Sequence, residues 1–164
     1  MAEEKDSMSG AIGDELTSLE EDITDEMIQA YLDGHADACE QLGVDNEVSL
    51  VELSNALNVI IAGRDYVQRI RDGSDIELVQ RTEVHRMYNT AMDDVAKTVP
   101  DAMKTWHTME DDRVRDMHWF LDGITIPYDD YFYTLDGDYG RFPGDFQTAE
   151  ENCNCRCYLT LSRF

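Results

Sequence analysis

The sequence predicts an α+β fold, with N-terminal acidic helices followed by a small turn-rich mixed sheet carrying short helices. Three observations lead there. Up to Pro100, apolar residues recur at helical spacing, and two Ser-x-x-Glu capping boxes mark helix starts. Beyond Pro100, short β-prone runs alternate with turns built on Gly, Pro and Asp. The hydrophobic content of 42% suffices for a real core, which argues against wholesale disorder.

Residues 1–13 are small and charged, with Gly10 and Gly13, and are expected to be frayed. A short helical stretch follows from Asp14 to Glu21. Thr24 then has the side chain of an N-cap, with Asp25 and Glu26 favourable in the first turn against the helix dipole. Met27, Ile28, Tyr31, Leu32, Cys39 and Leu42 line one face of that helix, and Gly43 closes it. Ser49-x-x-Glu52 opens the next, along which Leu50, Leu53, Leu57, Ile60, Ile61, Val67 and Ile70 keep the period until Gly73. Ser74-x-x-Glu77 opens a third helix to Val99, stopped by Pro100. This helix interleaves Arg81, Thr82, Glu83, His85 and Asn89 with Leu78, Met92, Val95 and Val99, so it is expected to pack on a polar site as well as on a core.

The second half reads as strand Lys104–Thr108, then a short helix or turn Arg113–Leu121 ended by Asp122-Gly123. Ile124–Ile126 and Tyr131–Tyr133 are expected strands around a turn at Pro127, Asp136-Gly137 is a further turn, and Cys155–Leu161 alternates as a final strand. The expected organisation is an acidic helical region over 1–77 and a second domain over 78–164.

Charge narrows the function. There are 36 acids against 13 Lys plus Arg, a net of −23. Residues 1–77 hold 20 acids and 4 bases, while residues 78–164 hold 16 and 9. Such a surface repels nucleic acid at ordinary ionic strength, because phosphate binding requires cationic side chains that displace counterions. Two readings account for the acidity: docking on a basic partner, or adaptation to molar salt, where the screening length falls to about 3 Å. The second is favoured by Asp (22) outnumbering Glu (14) and by three lysines against ten arginines. The longest aliphatic run, Val59-Ile60-Ile61-Ala62, falls far short of a membrane span, and the N-terminus has no signal-peptide pattern.

Cys153, Cys155 and Cys157 lie within five residues, a poor disulfide framework. On an extended strand all three share a face. With His118, or alternatively His107, they make a candidate tetrahedral zinc site; a packed thiol cluster is the other reading. His118 follows Arg115 by three residues and Arg113 by five, and Asp111 can cap this segment or pair with either arginine. Arg81 and Glu83 on the third helix extend the same expected polar network of Arg81, Glu83, Asp111, Arg113, Arg115 and His118. It serves either as a ligand or acid–base site, or as a structural pin between sheet and helix; the lack of a placed nucleophile favours the pin. Trp106, Trp119, Phe120 and the Tyr128–Tyr133 group read as core and amphipathic rim, and Asp129 and Asp130 argue against base stacking. No P-loop, G-x-S-x-G, H-E-x-x-H or dinucleotide fingerprint is present.

Taken in order, Arg81-Thr82-Glu83, then Trp106-x-Thr108-x-x-Asp111-x-Arg113-Val114-Arg115-x-x-His118-x-x-Leu121-Asp122-Gly123, then Ile126 to Phe132, Phe142-Pro143-Gly144-Asp145 and Asn154-Cys155-Arg156-Cys157 resemble the phage head-morphogenesis (minor head protein, Mu F-like) family. Cys153 is additional to its Asn-Cys-Arg-Cys element. The resemblance covers about residues 78–164. It implies a structural minor capsid protein of a tailed virus, present in the virion at the portal vertex in several copies and assembled in the host cytoplasm. It also implies partnership with portal or major capsid protein and roles in head assembly, and in some members DNA packaging or delivery. Some members carry toxin or enzyme domains after the shared one; none is expected here, since the sequence ends at Phe164. The rival readings are a metal-dependent hydrolase or nuclease using His118, Asp111 and the cysteines, and a DNA-binding module travelling with the genome.

Overall fold

The computed structural model describes residues 2–61, 68–69, 72–73 and 75–164, with side chains from residue 18 onward. The elements are α1 (Ala2–Leu42), α2 (Leu50–Ile61), α3 (Ile76–Ala96), β1 (Ala102–His107), α4 (Asp116–Trp119), β2 (Thr125–Pro127), β3 (Phe132–Tyr133), β4 (Tyr139–Gly140), α5 (Ala149–Asn152) and β5 (Tyr158–Arg163). The α+β class stands.

The N-terminal part is one continuous helix, where a frayed end and a cap at Thr24 were expected. Thr24 does not cap. Its hydroxyl donates to the Glu20 carbonyl at 2.7 Å, the back-bond a mid-helix Thr makes when no backbone group needs a cap. Ile23, Met27, Tyr31, Ala38 and Leu42 form the buried stripe, while Leu32, expected on it, is exposed. Gly43 ends α1 in the left-handed conformation (φ 65°), with Val44 N–H returning to the Cys39 carbonyl at 3.0 Å.

Ser49 caps α2 as its spacing predicts, accepting from Glu52 N–H at 3.3 Å. Val67, Ile70 and Ser74 lie outside the described residues. The N-cap of α3 is Asp75, one residue beyond the expected Ser74, and its carboxylate accepts from Leu78 N–H at 3.2 Å. That helix closes at Ala96, and the chain reaches Pro100 through tight turns, Thr98 N–H to Val95 O at 2.9 Å and Val99 N–H to Ala96 O at 3.1 Å.

Helices α1 and α3 cross closely. A Cβ on Gly34 would stand 2.3 Å from the Tyr88 carbonyl oxygen, so only glycine permits the approach. Glu26 meets Gln80 and Gly34 meets Tyr88, so contacts advance together and the two helices run side by side in the same sense.

The sheet order is β2-β1-β5, with β3-β4 a separate ribbon. Every described pairing is antiparallel, where a mixed sheet was expected. The helices between strands, α4 and α5, have four residues each and cannot return the chain for a parallel crossover. Alternation on β1 turns Ala102, Lys104 and Trp106 inward. Trp106 centres one core with Leu159, Leu161, Phe132, Phe146 and Met92, to which α1 contributes Ala38 and Leu42. A second core joins Ile23, Met27 and Tyr31 of α1 to Ile60 of α2 and Val79 and Met87 of α3.

Candidate metal centre

His118 lies in the single turn of α4 and is buried against the Trp106 core, edge-on to Trp106 at 5.3 Å and stacked on Phe146 at 5.6 Å. Its two ring nitrogens face different chemistry. Nε2 lies 2.9 Å from Oε2 of Glu151 on α5. Nδ1 lies 3.5 Å from Cys157 Sγ and 3.7 Å from Cys155 Sγ. These three donor atoms lie within 4.8 Å of one another, and all three residues are buried, so the group could hold a metal ion.

The backbone explains which cysteines gather. Asn154 adopts φ 55°, the left-handed conformation that Asn tolerates best after Gly. This turn breaks the strand, so β5 begins at Tyr158 where Cys155 was expected. Beyond it, Cys155 and Cys157 share one side by alternation, and Arg156 points the other way. Cys153 lies before the turn, as the C-cap of α5, and does not join the thiol pair with His118. The expected parity of three cysteines fails at Asn154.

Four groups fix this segment. The Arg115 guanidinium donates to the Cys153 carbonyl. Asn154 N–H donates to Thr82 Oγ1 at 3.1 Å, and His85 Nε2 donates to the Cys157 carbonyl at 2.6 Å. Arg156 makes a bidentate pair with Asp111 at 2.6 and 2.8 Å. Burial lowers the pKa of His85. The Cys155 thiol sits well below its ordinary pKa because Cys157 donates a hydrogen bond to it and His118 and His85 lie alongside. That same hydrogen bond and burial push Cys157 up.

The expected polar network resolves differently residue by residue. Asp111 accepts Arg113 N–H at 3.1 Å, as a capping residue would, but its ion-pair partner is Arg156 and neither Arg113 nor Arg115. Hydrogen bonding to Arg156 holds the Asp111 carboxyl below the usual range. Arg113 is exposed and lines a small cleft beside His118 and Cys157. Arg81 is exposed and donates to the Glu77 carbonyl at 3.3 Å. Glu83 is buried and faces Arg69 at 3.0 Å and Arg86 at 3.8 Å. Three consecutive helical residues point in three directions, so of Arg81-Thr82-Glu83 it is Thr82 that reaches the cysteine segment. His107, the alternative ligand, bonds Thr160 at 2.7 Å and stacks on Tyr158.

Sequence reasoning missed Glu151, whose only signal was its place in an acidic run. It also missed a second polar centre, where Asp93 receives Lys97 at 2.9 Å, Arg141 at 3.0 Å and the fully buried Lys104 at 3.6 Å. Burial lowers the Lys104 pKa to about 8 against the pull of Asp93. Lys104 did carry a signal, since it shares the inward parity of Ala102 and Trp106. Asn152 is a third omission: its side chain accepts Phe146 N–H at 2.9 Å and donates to the Phe146 carbonyl at 2.6 Å, clamping the loop after Pro143-Gly144-Asp145.

Residues 21–160 match the family model described as Phage Mu protein F like protein. The chain belongs to that family. It is also 33% identical over 126 residues to minor head protein GP7 of Bacillus phage SPP1. That alignment takes in 66% of this chain and 41% of that protein, so the chain spans well under half of the curated relative. No solved structure matches. The Mu F-like match starts inside α1, well before the motifs that carry the resemblance, and so includes the helix that packs on α3.

Proposed function

We propose that this Mu F-like chain is a structural minor capsid protein of a tailed virus, residing in the virion at the portal vertex and acting in head assembly. The observation that carries the reading is the use to which the family motifs are put. Thr82, Asp111, Arg115 and Asn154 all spend their polar groups on holding the chain's own backbone and ion pairs. Likeness to a minor head protein supports the same reading. Partners are portal protein or major capsid protein, met through a basic surface complementary to a net charge of −23. Among the described residues no helix is long and apolar enough to cross a membrane. A contribution to DNA packaging or delivery runs through those protein partners, because the chain's own charge opposes phosphate contact.

The test is co-expression with the portal and major capsid proteins of the same virus, followed by quantitative mass spectrometry of purified particles. Several copies per particle, retained with isolated portal and lost when the portal is omitted, is the expected result. Absence from washed particles overturns the assignment. Metal-dependent hydrolysis that disappears in His118→Ala would overturn the structural role in favour of a hydrolase or nuclease.

A further inference from the structure

We propose that His118, Cys155 and Cys157 bind one zinc-type divalent cation, through imidazole Nδ1 and two thiolates, and that Cys153 is not a ligand.

Distance is the first argument. Zinc–sulfur bonds near 2.3 Å and zinc–nitrogen bonds near 2.0–2.1 Å at a tetrahedral angle place nitrogen about 3.6 Å from each sulfur. The structure has 3.5 and 3.7 Å. Two edges of a coordination tetrahedron, from the nitrogen to each sulfur, are therefore already at length, and the third donor pair lies within 4.8 Å.

The second argument is the tautomer. A metal-bound imidazole needs one nitrogen bare and the other held, and a carboxylate is one of the usual holders. Glu151, buried on α5, places its carboxylate oxygen 2.9 Å from Nε2, where its charge favours the proton on that nitrogen and leaves the Nδ1 lone pair facing the two sulfurs. Glu151 is thus a positioning residue. Two thiolates and one imidazole form a borderline-soft donor set that selects zinc over magnesium or calcium.

The third argument is preorganisation. Thr82 and His85 hold the Cys155–Cys157 segment from α3, and Arg115 holds its start. Arg156 pins the opposite side to Asp111. His85 already spends Nε2 on a carbonyl and belongs to the outer shell. The fourth coordination position falls to the small cleft that His118 and Cys157 line with Arg113 and Asn154. Its volume of about 10 Å³ has room for a single water. The metal therefore joins α4 to the strand leading into β5 as a clasp.

Cobalt(II) titration of the whole reduced chain tests this, with zinc competition afterwards. Expected are one cobalt per chain, thiolate charge-transfer absorption and intense visible d–d bands marking four-coordination, all abolished by zinc. Cys155→Ser and His118→Ala are expected to lose the bands, and Cys153→Ser to keep them. Zinc loading should raise the melting temperature by about 10 °C when free metal exceeds Kd a thousandfold. The wild-type titration decides the matter even where a variant fails to fold. Absence of charge-transfer absorption in the wild type, or its loss in Cys153→Ser, overturns the proposal. So does a Cys155–Cys157 disulfide found in protein alkylated without prior reduction.

Discussion

Around Ile23, Met27 and Tyr31 the chain is joined by apolar side chains repeating along helices, whereas around Trp106 it is joined by apolar packing and a set of discrete polar staples. The first region has long regular elements, so backbone hydrogen bonds are satisfied within each helix, and burial supplies most of the cohesion beside a few side-chain bonds such as Glu26–Gln80 and Tyr31–Asp94. The second has strands of two to six residues, and its loops must find partners for their backbone groups elsewhere. Asp138 accepts from the Thr148 hydroxyl at 2.7 Å and from Tyr139, Gln147 and Thr148 N–H groups at 2.7 to 3.1 Å, and those bonds lower its pKa. The acidic half is thus apolar inside and charged outside, while the family motifs lie in the half where polar groups do the joining.

The largest test of that contrast is Trp106→Ala. Trp106 is fully buried at the centre of the second core, and truncation should cost about 3–5 kcal/mol. Leu50→Ala, on a side chain 79% exposed on α2, should change stability by less than about 0.5 kcal/mol. Urea melts of both variants check the pair.

Next comes Asn152→Ala, which strands the Phe146 N–H and carbonyl and should cost about 1–3 kcal/mol despite removing little apolar area. A similar loss, about 1–3 kcal/mol, is expected for Gly34→Ala in the helical region, where the cause is overpacking against Tyr88. Equal m-values with shifted urea midpoints would show that each variant lowers stability without changing the surface exposed.

Lys104 sharpens the contrast through pH. Its folded pKa, about 8, lies below its ordinary value of 10.5, so between those values the unfolded chain holds a proton that the folded chain has released. Stability from this group therefore rises with pH from about 8, on the order of 1 kcal/mol per unit. Tyr31 and Tyr88 are raised by burial and by hydrogen bonds to Asp94 and Asp37, and oppose the rise once pH passes 10. The window is pH 8 to 10, and Lys104→Met should flatten the slope there.

The smallest expected effect concerns salt. If the acidity reflects a halophilic host, the helical region should melt lower at roughly 0.1 M than at roughly 3 M salt, where screening lengths are about 10 and under 3 Å. Equal melting at both would leave only the docking-surface reading of the charge.

What was legible in the sequence follows the same division. Period and capping identified the start of α2, the end of α1 and the start of α3 to within a residue, because those signals are local. Thr24 misled because a threonine can turn its hydroxyl back into the helix as readily as cap one. Choosing among Asp111's partners was beyond local reasoning: Arg113 and Arg115 are near in sequence, but the fold brings Arg156 across 45 residues. The cysteine parity rule assumed an unbroken strand, and one left-handed residue at Asn154 removed Cys153 from the group. Glu151 and the meeting of Lys104 and Arg141 at Asp93 depend on tertiary placement, although the inward parity of Lys104 was readable.

Hydrogen exchange on His118→Asn, read peptide by peptide, tests most directly whether the second core hangs on its polar staples. Loss of protection confined to residues 113–121 and 149–163, with the α1 and α2 amides unchanged, is the predicted result. Equal loss across all elements, or no loss anywhere, would contradict it.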